Sequence, residues 1–547
     1  MAVPPIQRSP RPAASRHLPW LLDTVLGLLV VVALPLAIVT IPNTLSVVAG
    51  LLPDDLDRVA LMRTHGLALP ALMLTVPLAA VALRRVPAAH LVLAGLVLVA
   101  LSEVAGGYAV SELVVGAVRV ARGVGGGVVL VATLAAVWER AVVVRALWAG
   151  VFGVGLVAAQ GLALWPLDDV SSWKVTLQPY PLVTGVGLGL AAVHLVVWIL
   201  AGRPVAPVPD GRDRLRLLLA AVPSAGIAVV AISTATEGWR ALPVMAIAGA
   251  AIAGLLALGS IGAVAGRRVA YAMVAVGVVV LPTAAQVTLV EMGGLGGPGL
   301  RGLWVPYVSA GVLAVGVAVV VRRFAEGGGR WLAPLGLLAM VMGLCAVRLM
   351  VPSADGLVLA APFALLAVGA AVAVTATLQE AGAGAAMFGL SLGVAGVLAG
   401  FLLGTGVQMA MLDGVRSAQE LVDRFVGALH WWALIGGFVT VGVIVLAAVV
   451  ARPRGAEAGA VPVGPPCGGG SADPPGEDED EDEATGVVPR VVLPAPPGPN
   501  AFDRLPPRPQ TPDGSEGAAP VVPPQGSEGA APAVPPQGHS PEDTAST

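Results

Sequence analysis

The residues able to do chemistry in this chain are few, and most of them sit inside apolar sequence. Arg119 and Arg122 fall in the run Arg119-Val-Ala-Arg122-Gly123-Val-Gly125-Gly126-Gly127, and Glu103 lies in the apolar stretch before it. Gln160, Gln286 and Gln408 are embedded in Val, Leu, Ala and Gly. A charge in mid-bilayer costs at least about 2.5–3.5 kcal/mol on insertion scales, so it is read first as functional and needs a partner. For Arg119 the expected partner is Glu103, a carboxyl able to exchange a proton. Arg119 falls about six residues into its stretch, roughly 9 Å deep at 1.5 Å per residue. Arg122 is one turn further, about 60° around the helix, so both could line one cleft. The bland alternative leaves Glu103 in the interface and lets Arg119 snorkel outward. The glutamines could hydrogen-bond a substrate, or bond to neighbouring helices for about 0.6 kcal/mol each. Asp23 stands at the start of its stretch and reads as an interfacial or capping acid.

The elements that must position these groups are membrane spans. About fourteen apolar stretches fill residues 20–451, mean hydropathy is +0.85, and only 12% of residues are charged. A helix needs about 20 apolar residues to cross the hydrocarbon core, where its backbone groups must pair internally. The expected spans are 20–40, 61–83, 87–105, 113–137, 144–164, 182–201 and 215–233, then 242–264, 269–290, 302–321, 331–350, 356–378, 384–411 and 427–451. With the N-terminus inside, about 18 basic residues fall on the cytoplasmic side and about 8 opposite. The basic pairs Arg84/Arg85, Arg267/Arg268 and Arg322/Arg323 recur on the inner side. This asymmetry predicts an even number of spans and both termini cytoplasmic. Trp20, Trp138, Trp165, Trp198, Trp331, Trp431 and Trp432 lie near span ends, as an interfacial belt would.

Several chemistries find no support. The two cysteines, Cys345 and Cys467, have no ligand-spaced partner, and the six histidines form no i,i+3 or i,i+4 pair, so no metal or cofactor is expected. No Gly-rich loop ends in Lys-Ser/Thr, so any energy must come from a gradient. The run Gly123–Gly127 follows no strand and is not a phosphate loop. No enzyme activity and no nucleic-acid partner is expected. Aromatic residues make up 4%, and within spans the candidates for a ligand face are Phe152, Phe363, Phe388 and Phe401.

The loops carry further motifs in a fixed order. These are Glu139-Arg140…Arg145-Ala146-Leu147-Trp148, Ser172-Trp173-Lys174 with Pro181, Asp213-Arg214-Leu215 with Thr236-Glu237-Gly238-Trp239, and Arg322-Arg323-Phe324…Gly329-Arg330. With the arginine–glycine run they resemble, over residues 20–451, the fourteen-helix drug:proton antiporter branch of the major facilitator superfamily. In that resemblance Arg119 matches the arginine of the helix-four motif, Gly123 and Gly125 match its glycines, and Arg122 replaces its glutamine. Gly123, Gly125, Gly126 and Gly127 would let neighbouring helices approach closely. The departures are a shrunken Leu83-Arg84-Arg85-Val86-Pro87 loop and a helix five that keeps Gly153, Gly155 and Gly161 without the proline. The family's helix-one acid is replaced by Val32 or Val25, counting back from Pro42 or Pro35.

The resemblance implies an all-α polytopic membrane protein in a 6+2+6 arrangement. Its parts would be a cytoplasmic arm (1–19), a first six-helix half (20–201), an inserted pair (202–268), a second half (269–453) and a cytoplasmic tail (454–547). The tail holds seven consecutive acids from Glu477 to Glu483 and the repeats Gly514–Gln525 and Gly526–Gln537. Its charge is about −12, against about +9 for the rest, and the composition predicts disorder. Its Pro-Pro pairs could dock a protein partner in polyproline II form.

The expected function is secondary transport in the plasma membrane, exporting a small hydrophobic or amphipathic molecule by alternating access, with proton coupling implied by the resemblance. Arg119, Arg122, Glu103, Gln160 and Gln286 are the pathway candidates, and the inserted pair is expected to pack outside the two halves. The competing reading is a non-transporting membrane scaffold that keeps the fold and uses its tail for interactions. Polar residues converging on a central cavity would separate the two.

Overall fold

The structure is a computed structural model that describes residues 18–450 apart from 53–56, 169, 171, 204–210, 235–238, 262, 293–296 and 326–330. The chain divides into two units, Met1–Ala460 and Val461–Thr547, and all described residues belong to the first. The expected disorder, protein partner and cytoplasmic placement of the tail lie outside the described residues, as does the N-terminal arm up to residue 17.

All regular structure among the described residues is helical, and fourteen helices are long and apolar enough to cross a membrane. We number them α1 (Leu18–Val39), α2 (Arg58–His65 continued by Ala68–Ala82), α3 (Ala88–Gly107), α4 (Glu112–Trp138), α5 (Val142–Leu164), α6 (Pro181–Leu200) and α7 (Gly211–Thr234). The second seven are α8 (Ala241–Gly259), α9 (Val264–Met292), α10 (Trp304–Ala325), α11 (Leu332–Met350), α12 (Ala360–Glu380), α13 (Ala383–Leu412) and α14 (Ala418–Val450). Apolar composition makes them helices, and polar caps place some of their ends. Asp57 accepts from the amides of Val59 and Ala60 to start α2, and Ser111 accepts from Val114 N to start α4.

Packing shows an internal repeat. In the first six helices α1 packs on α4, α5 and α6, α4 packs on α2 and α3, and α3 packs on α6. The last six repeat every one of these pairings eight helices later: α9 with α12, α13 and α14, α12 with α10 and α11, and α11 with α14. The contacts between the halves are also reciprocal, α5 on α10 and α2 on α13. A sequence that folds twice into one six-helix unit produces this pattern.

The inserted α7 packs on α2 and α13, and α8 packs on α13 and α9. Both helices are mostly exposed, so the pair packs on the outside of the halves. Within that position α7 lies along the line where α2 and α13 meet, and Ala231, Ile232 and Thr234 of its last turn border the space between them.

Helices α9 and α13 are almost entirely buried, with small and apolar residues on every face, as a central helix requires. Peripheral helices turn Val222, Val229, Leu242, Phe438 and Val445 outward, which suits a lipid surface. Four tryptophans of the expected belt are exposed, Trp20, Trp165, Trp331 and Trp431. Trp432 is not one of them. It is fully buried and donates from Nε1 to Thr283 Oγ1 at 2.9 Å, tying α14 to α9.

Candidate functional site

The polar residues of the interior fall into two groups, one on an open cavity and one in the wall behind it. The cavity, of about 520 Å³, lies between the halves. Its size suits a small organic ligand, for which about 300–1,000 Å³ is usual. Its walls are the turn after α1 (Ile41, Pro42, Asn43), the region Met62–Pro70 in α2, the end of α7 (Ala231, Ile232, Thr234), and parts of α5, α9 and α13. All these segments lie toward the membrane face on which α1 ends. Toward the opposite face the same helices meet on buried Leu26, Leu29, Trp148, Phe152, Met273 and Leu390.

Three glutamines meet on this cavity: Gln160 from α5, Gln286 from α9 and Gln408 from α13. Gln286 is 6% exposed, and its Oε1 is buried without a hydrogen-bond partner. Its amide rests against Gly404 of α13, where a Cβ would stand 2.5 Å from Nε2. Thr64 and Thr234 line the cavity with hydroxyls that donate to Leu61 O (3.0 Å) and Ala231 O (2.9 Å). Phe401 is the one aromatic among the described lining residues. Of the other phenylalanines singled out, Phe363 stacks on Tyr307 (4.8 Å between ring centres), Phe152 stacks on Trp148 (5.1 Å), and Phe388 is buried.

Arg119, Arg122 and Glu103 do not line the cavity, and each is at most 3% exposed. Arg119 donates from Nε to His65 O (2.7 Å) and from Nη2 to Thr40 O and Pro42 O (both 3.0 Å). Carbonyls at helix C-termini lack intrahelical partners and carry the negative end of the helix dipole. Arg119 therefore caps the ends of α1 and of the first segment of α2. The residues beside its acceptors, Ile41, Asn43, Thr64 and Gly66, are cavity wall.

The expected Arg119–Glu103 pair does not form. Glu103 is held by Arg122, whose Nη2 lies 3.1 Å from Oε1, while Nη1 donates to Leu177 O at 2.9 Å. Leu177 ends the turn Trp173–Leu177, which settles over Gly106 of α3. A Cβ on that glycine would stand 2.7 Å from Leu177 Cβ. Lys174 adds a bond to Gly107 O at 3.4 Å.

The glycines of α4 each face a close neighbour. A Cβ at Gly123 would collide with Ala68 O of α2, at Gly125 with Val99 Cγ2 of α3 (2.8 Å), at Gly126 with Ala37 O of α1 (3.1 Å), and at Gly127 with Leu72 O of α2 (2.8 Å).

Some residues here had no signal in the sequence. His65 is fully buried with neither ring nitrogen hydrogen-bonded. Glu291, at the end of α9, is also fully buried and accepts from Ser353 N at 3.1 Å. Its place before a Gly-rich loop could have marked it as a loop anchor. Asp23 pairs with Arg140 at 2.6 Å, and Arg268 with Glu380 at 2.7 Å, on the face where α1 begins.

No protein-family model and no curated protein matches the chain. Solved structures similar to it include the major facilitator superfamily proton:xylose symporter XylE bound to 6-bromo-6-deoxy-D-glucose. Identity is 17%, the match covers 78% of this chain and 95% of that one, and the TM-score is 0.49. Another is the human organic anion transporter MFSD10 (TETRAN), at 14% identity, 79% and 99% coverage and a TM-score of 0.45.

Proposed function

We propose that the protein is a secondary membrane transporter of major facilitator type that moves a small hydrophobic or amphipathic molecule by alternating access. The observation that carries this reading is the meeting of Gln160, Gln286 and Gln408 on one cavity between two six-helix repeats. Binding at the interface of structural repeats, with access exchanged as one repeat rocks against the other, is how such folds transport. The described lining residues lie toward one membrane face, and toward the other the helices pack on apolar residues. A scaffold has no need of hydrogen-bonding groups around open space, and facing helices filled by Val, Leu and Ala would serve it better.

Export and coupling to a proton gradient belong to the reading through the motifs around Arg119. Glu103 is a buried carboxyl that could carry the proton, with Arg122 as its counter-ion. Cytoplasmic placement of both termini follows from the distribution of arginines between loops. The test is uptake into proteoliposomes with an imposed proton gradient, across a panel of lipophilic compounds. Wild-type protein should move at least one of them, and Gln286→Leu should slow that movement while leaving the amount of folded protein unchanged. A wild type that moves none would return the preference to a scaffold.

A further inference from the structure

Resting on that transport reading, we infer that the cavity favours uncharged molecules that offer an N–H or O–H donor over permanent cations, and that Gln286 is the residue that sets this choice. The lining carries the argument. Its polar groups are amides and hydroxyls, chiefly Asn43, Thr64, Gln160, Gln286, Thr405 and Gln408, together with the guanidinium of Arg63, and among the described lining residues there is no carboxylate. A cation entering this space gives up its water and finds no opposite charge to offset the loss. Aromatic faces are the other device for holding a cation, and among the described lining residues Phe401 alone provides one.

Gln286 supplies the positive half of the selectivity. Its Oε1 is a buried acceptor without a protein partner, which is unfavourable while the cavity is empty and is relieved by a ligand donor. The hydroxyls of Thr64 and Thr234 are turned onto their own helices, so toward a ligand they offer oxygen lone pairs. A molecule with a donor and an apolar body matches acceptors set among Ile41, Leu69, Leu289 and Leu402.

The experiment uses a matched pair of amphiphiles of equal size, N-(3,3-dimethylbutyl)dodecanamide and its quaternary trimethylammonium isostere. The N-methyl amide of the neutral compound, which lacks the donor, is the third probe. Binding of radiolabelled compound to the full chain in nanodiscs is measured against empty nanodiscs. The wild type should bind the neutral amide at least about tenfold more tightly than the cation, a difference of about 1.4 kcal/mol, and the N-methyl amide should bind more weakly than its parent. Gln286→Glu should reverse the preference toward the cation, and Gln286→Leu should remove the difference between the amide and its N-methyl form. If Gln286→Glu does not fold, Gln160→Glu places a carboxylate on the same cavity and must show the same reversal. Equal or tighter binding of the cation by wild type overturns the inference, as does an unchanged ratio in both glutamate variants or binding of neither compound by folded protein. Selective binding without transport would overturn the transporter reading and leave the selectivity standing.

Discussion

Arg122 and Glu103 face each other across α4 and α3 at 3.1 Å, and the two side chains are only 1% and 3% exposed. Breaking such a pair from one side leaves a buried charge unmatched and costs about 3–5 kcal/mol, whereas apolar replacement of both ends is often tolerated. Arg122→Met and Glu103→Leu should therefore each lower the amount of folded protein and its melting temperature in detergent. The double variant should recover most of the loss, short of what the unpaired Leu177 carbonyl costs, about 1–3 kcal/mol. Additive damage in the double variant would show that the two groups act separately.

Arg119 leads to a different expectation from the one its sequence context suggests. An arginine on the pathway would be dispensable for folding, and Arg119→Ala would abolish transport at normal abundance. With its guanidinium on three helix-end carbonyls, Arg119→Ala should instead reduce folded protein. Arg119→Lys should fall between, because a compact ammonium cannot span acceptors on two segments as the planar fork does. Size-exclusion profiles and melting curves of the two variants decide this. Normal folding of Arg119→Ala would refute the capping role.

Hydropathy alone located all fourteen spans, because each helix must be apolar over a bilayer thickness. Where a helix runs on into polar sequence, hydropathy is silent. The last helix was expected from about 427 but begins at Ala418, in a turn stabilised by the Glu420–Arg424 pair at 2.7 Å. The division of α2 after His65 was hidden for a related reason, since Ala68–Ala82 is apolar enough to read as one span together with the last residues of the more polar Arg58–His65 segment. The partner of Glu103 was not legible either. Arg119 and Arg122 are three residues apart and point to nearly the same side of α4, and only the crossing of α4 over α3 decides which meets Glu103. The glutamines were visible as polar residues in spans. Their convergence depends on α5, α9 and α13 coming together, which no local pattern encodes.

The glycine run of α4 makes a packing prediction. Gly123 lies against Ala68 O, a backbone atom that cannot turn aside as a side chain can. Gly123→Ala should push α2 from α4 and cost about 1–3 kcal/mol as overpacking. Alanine is the better helix former, so propensity alone predicts the opposite sign. A lower melting temperature for Gly123→Ala supports close packing, and a higher one would show that the helices have room to separate.

A pH effect is expected from Glu139, in the turn between α4 and α5 on the face where α1 begins. Burial pushes its carboxyl up to about 7, and the neighbouring Arg140 only partly opposes this. The guanidinium of Arg140 is already engaged by Asp23 and by Pro19 O at 2.7 Å. Glu139 also follows the C-terminal end of α4, where the helix dipole disfavours an anion. A carboxyl whose pKa is raised on folding favours the folded state while it is protonated. That contribution is full below the unfolded value of 4.5 and is lost as pH rises through about 7. The neutral isostere Glu139→Gln should therefore melt close to wild type near pH 5 and above it at pH 8, where the wild type must bury a charge. Melting curves of both proteins in one detergent across this range are the measurement. A variant that gains nothing at pH 8 would mean that Glu139 ionises in the folded protein without cost, with its charge met by water or by Arg140.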